Sequence, residues 1–385
     1  MRITVPATIL LVVLSTACRS VAAADDLSKL SPAKVEEKSL GQLIAGSQWK
    51  AEEILLDYAV ARFPDLIEVV QHLAGDRLTA AKDLLSKQAG HGREGQRVLF
   101  LLGAFSRSRF EVDRSYPLFA AVALIDPQSV SGQCAILVNA LDAKSGGKVS
   151  KHAGNDHQVN EHFAVFTKLV EAKPDDLMVR WMLAVQCRAY NRNEEGVGHY
   201  KIILKKWSPG PVLVHQTYAN LLDELCLYDE ALVERHKTVK LEPASWSYDG
   251  LGNTLDYLGD FQGADEAHAK AVQLNPNAHN VVNWAHSLFV AGRYDEAIEK
   301  CQEALGLNSL DKEACARAWR LWGDCLDLQA KPKEALEKYD KARALDPDQQ
   351  SANHRTLLLS KGFIKLPRPP RADPGGCPVI AFSAQ

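Results

Sequence analysis

Five residues within eleven positions, His152, Asp156, His157, Glu161 and His162, carry side chains that hold metal ions or move protons. Their spacing argues against one site on a helix. His157 and His162 are five apart, which places them some 140° apart around a helical axis. The surrounding stretch KSGGKVSKHAGND, residues 144–156, is polar and glycine-containing, so the segment reads as an inserted, solvated loop. A metal-dependent enzyme built on this loop is the functional class that the sequence supports least. The sequence carries no P-loop, no G-x-S-x-G, no H-E-x-x-H and no glycine-rich dinucleotide fingerprint after a strand. The expectation is a non-enzymatic protein with no cofactor and no metal.

A second set of polar residues recurs at three- and four-residue steps, which puts its members on common helix faces. It comprises Asn220 and Asp223, then Trp246, Asp249, Asn253, Asp256 and Tyr257, then Asn283 and His286, and finally Arg317 and Arg320. An Asn amide both donates and accepts, so it can satisfy the backbone of an extended peptide without reading its sequence. Asp223, Glu224, Asp249 and Asp256 together would favour a partner segment bearing Lys or Arg. Trp246 and Tyr257 could instead stack on sugar rings, as in an accessory or carbohydrate-binding protein of a polysaccharide or enzyme complex.

The elements that position these residues repeat. FQGADEAHAKAVQLNP at 261–276 returns as YDEAIEKCQEALGLNS at 294–309, at an offset of 33 residues and without a gap. YDEALVERHKTVKLEP precedes them at 228–243, and PKEALEKYDKARALDP follows at 332–347. Pro127, Pro174, Pro209, Pro243, Pro276 and Pro347 punctuate the chain, with Ser309 standing where another is expected. A proline there ends a helix, because it cannot continue one. The longer step to Pro347 predicts a lengthened linker over 310–315.

Trp319-x-x-Trp322-Gly323-x-x-Leu326, followed by Ala335 and Tyr339, resembles the tetratricopeptide repeat, a helix–turn–helix unit of 34 residues. Leu251, Gly252, Leu255, Gly259, Ala264, Ala271 and Pro276 show the same pattern. In it, Gly252 and Gly323 let two helices approach, with Ala264, Ala297 and Ala335 as the small residues facing them. The resemblance is strong over 212–347, moderate over 96–209 and faint over 32–95. It implies an all-α, right-handed superhelical solenoid of about nine pairs, with a capping helix at 351–363. It also implies a concave groove lined by the first helix of each pair, carrying the polar set above. Some family members clamp a peptide carboxylate there. Asn253, Asn283 and Arg317 fall at three of the clamp positions, but Asp249 and Leu321 replace two cations.

Composition bounds the rest. Hydrophobic residues at 46% and charged ones at 24% fit a folded protein, and a net charge of −3 argues against a nucleic-acid partner. Residues 1–24 have the layout of a secretory signal: Arg2, an apolar run from Ile9 to Leu14, then Ala22-Ala23-Ala24. Ser15-Thr16-Ala17-Cys18 resembles a bacterial lipoprotein box, so a membrane would be met only through lipid on Cys18. The expected location is periplasmic or secreted. No C-x-x-C occurs among the eight cysteines, which excludes zinc-ribbon and thioredoxin-type sites. Five prolines and two glycines over 366–385 exclude a helix there. The resulting expectation is an exported scaffold that holds a partner polypeptide in its groove, in envelope assembly or secretion.

Overall fold

The computed structural model describes residues 27, 29–44, 48–87, 91–108, 112–145, 157–307 and 311–346. The signal and Cys18, nearly all of the 144–156 loop, Ser309, Pro347, the 351–363 helix and the 366–385 tail lie outside the described residues.

Every regular element among the described residues is an α-helix, and eighteen are present. They are α1 (Pro32–Ile44), α2 (Gln48–Arg62), α3 (Pro64–Ala74), α4 (Leu78–Ser86), α5 (His91–Ser108) and α6 (Val112–Ile125). Then follow α7 (Val130–Ser145), α8 (His157–Ala172), α9 (Leu177–Ala189), α10 (Asn193–Lys206), α11 (Val212–Glu224) and α12 (Tyr228–Leu241). The last six are α13 (Ser245–Leu258), α14 (Phe261–Leu274), α15 (Ala278–Val290), α16 (Tyr294–Gly306), α17 (Lys312–Leu328) and α18 (Pro332–Leu345). Within each unit odd and even helices pair along the chain, α1 with α2 through α9 with α10 in the first and α13 with α14 through α17 with α18 in the second. Contacts divide the chain into two compact units, one through Leu225 and one from Cys226.

The turn inside a pair has one recurring solution. A residue just past the first helix adopts left-handed backbone: Asp76, Asn191, Gly259, Gly292 and Ala330, with φ between 56° and 79°. The next N–H then reaches back five residues. Arg192 bonds to Cys187 at 2.8 Å, Asp260 to Leu255 at 3.0 Å, Arg293 to Leu288 at 2.9 Å and Lys331 to Leu326 at 2.9 Å. This Schellman arrangement satisfies carbonyls that a helix end leaves unpaired. The following helix starts on a side-chain cap where Asp260 accepts from Gly263 N–H, and Asn277 and Asp311 cap α15 and α17 in the same way. Pro127, Pro174, Pro243 and Pro276 each stand two residues past a helix end, whereas Pro64 opens α3.

In the first unit the core is built from large side chains. Trp181, Phe100, Phe105, Phe119, Phe163 and Phe166 are fully buried. Arg97 ties distant helices together, meeting Glu36 of α1 at 2.8 Å and Asp176, the cap of α9, at 2.9 Å. In the second unit the core is thinner. Ala278, Ala285, Ala304, Ala314 and Ala318 line it with Val281, Val282, Cys301 and Leu321. Small side chains draw the helices of neighbouring pairs close, and here the first helices α13, α15 and α17 pack on one another in sequence.

Two expectations change. The extra residues before Pro347 do not form a linker over 310–315: α17 starts at Lys312 and runs for 17 residues, where α13 has 14 and α15 has 13. The signature glycines face large rings, not the alanines. A Cβ at Gly323 would lie 2.6 Å from Tyr339, and one at Gly103 would lie 2.9 Å from Phe119. Ala264, Ala297 and Ala335 are buried beside these contacts.

The cysteines are mainly core residues. Cys134, Cys187, Cys301 and Cys325 are buried free thiols, and Cys226 is disulfide-bonded. No helix among the described residues is long and apolar enough to cross a membrane.

Candidate functional site

In the second unit, α13, α15 and α17 present one polar face each, and side chains link these faces at intervals of one repeat. Asn283 of α15 donates to both carboxylate oxygens of Asp249 on α13, at 3.1 and 3.0 Å. Its own carbonyl accepts from Arg317 Nη2 of α17 at 2.7 Å. Ser287 Oγ donates to Asp256 at 2.7 Å, and Asn280 donates to Ser245 Oγ at 2.7 Å. The result is a ladder, Asp249–Asn283–Arg317, that runs across three helix pairs.

Beside the ladder lies a pocket of about 340 Å³. Asn253, Asp256, Tyr257, Asn283, His286, Arg317 and Arg320 supply its polar lining, and Val282, Val290 and Leu321 its apolar part. Seven of the eleven residues singled out from sequence therefore converge. Asp249 belongs to the ladder just outside the pocket. Trp246 is not among the lining residues and bonds to Glu242. Asn220 and Asp223 lie on α11 in the first unit, and both residues are engaged in interactions. Tyr257 stacks on Tyr228 at 5.1 Å, which covers one face of the ring that sugar stacking would need.

Electrostatics inside the site differ from the sequence expectation. Behind α13, His268 of α14 is fully buried, with Nδ1 3.3 Å from Asp249 and Nε2 3.5 Å from Asp256. Neither ring nitrogen has a well-aligned hydrogen bond, so the contact is chiefly ionic. Burial pulls the imidazole pKa down, but the two carboxylates outweigh it and the pKa is pushed up to about 9. His268 is a cation at neutral pH, and Asp249 and Asp256 are its counter-charges. Glu224 of the first unit is likewise occupied, by Arg188 at 2.9 Å and by Asn193 at 3.1 Å. The acidic field expected to attract a basic segment is thus largely neutralised within the protein.

The arginines are less well matched. Burial, and Arg320 beside it, lower the Arg317 pKa. Burial also lowers the His286 pKa, and Arg317 and Arg320 act in the same direction there. His268 was missed by reading the first helices alone. Its signal is a titratable residue in register with the buried Cys301 and Tyr339 of later pairs.

Other candidate chemistry is structurally accounted for. His157 pairs with Glu161 at 3.4 Å on the exposed face of α8, and His162 Nδ1 contacts the Gln158 carbonyl. Cys187, Glu195 and His199 bring metal-type donors within 4.8 Å. Arg180 Nη1 stands 3.3 Å from His199 Nδ1, and Arg192 pairs with Glu195 at 3.3 Å. Two guanidinium charges against the donor set disfavour a cation.

Residues 275–348 match the family model of the tetratricopeptide repeat. The matched segment contains α15 to α18, two complete helix pairs, and with them Asn283, His286, Arg317 and Arg320. No curated protein matches the chain. Among solved structures, a tetratricopeptide repeat protein from Parabacteroides merdae is similar over 69% of this chain and 98% of its own, at 13% identity and a TM-score of 0.48. The APC/C hetero-tetramer Cut9–Hcn1 is similar over 84% of this chain and 64% of that one, at 16% identity and a TM-score of 0.48. YrrB, described as a TPR protein with an unusual peptide-binding site, is similar over 50% of this chain and 98% of its own, at 23% identity and a TM-score of 0.36. No residue role is carried over from these structures.

Proposed function

We propose that the chain is an exported, non-enzymatic scaffold that holds a partner polypeptide against the face formed by α13, α15 and α17. One observation carries the reading: successive repeats aim polar side chains into a single pocket whose other wall is apolar. Among them, the Asn253 amide has no hydrogen-bond partner among the described residues. A free amide beside Val282, Val290 and Leu321 suits an extended backbone with an apolar side chain next to it. Surfaces of stacked repeats are well suited to such contacts, because each pair adds side chains at a fixed interval.

Export rests on the N-terminal sequence. A periplasmic or outer-envelope setting, in assembly or secretion, follows from that reading. Lipid on Cys18 would be the route to a membrane.

A photo-crosslinking residue placed at Asn253 tests the groove. A covalent adduct with another polypeptide is expected in the envelope fraction. The same residue at Glu299, exposed on α16, serves as the control and should give none. Equal labelling at both positions, or none at Asn253, would rule the groove out.

A further inference from the structure

Three helix pairs set a glycine on the first helix against a ring on the second. A Cβ would come within 2.9 Å of Phe119 at Gly103, 2.6 Å of Tyr339 at Gly323 and 2.6 Å of His268 at Gly252. The space is the same in kind, and packing alone is met by an aromatic ring. Only the middle pair fills it with an imidazole, and that pair carries carboxylates on both sides, Asp249 and Asp256.

Those carboxylates face the groove, so the buried ring decides what charge the groove shows. Asp249 and Asp256 contribute two negative charges, and His268 cancels one. Among the pocket and ladder residues, Arg317 and Arg320 then outnumber what remains, while Glu313 and Asp311 act on Arg317 from outside the pocket. Neither arginine forms an ion pair among the described residues: Arg317 donates to the Asn283 amide oxygen at 2.7 Å, and its Nη1 contacts His279 Nδ1 at 3.4 Å. Two guanidinium groups that repel each other at the edge of a partly desolvated pocket call for an anion.

We infer that the pocket takes an acidic side chain, Asp or Glu, from an extended partner segment, and that His268 is the specificity-determining residue that gives the pocket this sign. The carboxylate sits between Arg317 and Arg320, with the Asn253 amide beside it. The neighbouring apolar residue of the segment packs against Val282 and Leu321. This rests on the groove reading above and replaces the basic segment expected from sequence with its opposite.

The test uses the full chain and three otherwise identical fluorescent peptides, acidic, neutral and basic, with apolar residues interleaved and both ends blocked. Anisotropy titrations at low salt should rank acidic first, by roughly tenfold over basic, and the gap should narrow as salt rises. His268→Phe places at Gly252 the ring already found at Gly103, removes the cation and should abolish the acidic preference. Should that variant fail to fold, Arg320→Glu alters an exposed side chain and should reverse the ranking. Wild-type protein that prefers the basic peptide, or variants that leave the ranking unchanged, would overturn the inference while leaving the groove intact. Failure of all three peptides to bind the wild type would remove the groove reading itself.

Discussion

His268 occupies a register position that Cys301 and Tyr339 fill in later pairs, yet its charge couples stability to pH. Its folded pKa of about 9 lies above the unfolded value near 6.5. The stabilisation is therefore fully present below about pH 6.5 and is lost as pH rises through about 9, by on the order of 2–3 kcal/mol. His199 is held down to about 4 by burial and Arg180, and burial also holds His286 low, so neither changes charge in that window. Urea unfolding at pH 6 and pH 9.5 should show the loss in wild type and a flatter profile in His268→Phe. Equal slopes would mean that His268 is not charged. Sequence spacing put Asn253, Asn283 and Arg317 on the correct faces, since a helix period fixes direction. It could not show what stands behind a face. Asp249 and Asp256 read as free acids until α14 is packed against α13.

At the scale of the element, the turns were readable where glycine marks them, at Gly259 and Gly292, and hidden where Asp76, Asn191 and Ala330 adopt the same backbone. The hydrogen bonds of the turn decide the geometry, and a residue with a Cβ is forced to follow at a cost of roughly 1–2 kcal/mol. Ala330→Gly should therefore stabilise the protein by about 0.5–1 kcal/mol, measured as a raised urea midpoint. An unchanged or lowered midpoint would contradict the argument. The closing prolines were equally readable. The upstream pairs were not, for a packing reason. Their interior is filled by Phe100, Phe105 and Phe119, and α3 packs on α6 as well as on α4. The alanine-rich interior of α15 to α18 is what makes the repeat pattern conspicuous.

At the scale of the whole molecule, each helix pair of the second unit contacts chiefly its neighbours, so damage there should stay local. His268→Ala should raise amide exchange in α13, α14 and α15 and leave α1 to α8 unchanged. A uniform rise along the chain would show instead that the protein unfolds as one cooperative body. The ladder from Asp249 through Asn283 to Arg317 carries a consequence for how such a chain can grow. Each rung is specific to its place, because Asp249 is met by an amide one repeat on and by a guanidinium only after two. A duplicated pair inserted between α14 and α15 would strand Asp249 opposite the wrong residue, whereas one added ahead of α1 would disturb no rung. Gene duplication can therefore lengthen this protein harmlessly at its start, and only at the expense of its grip in the middle.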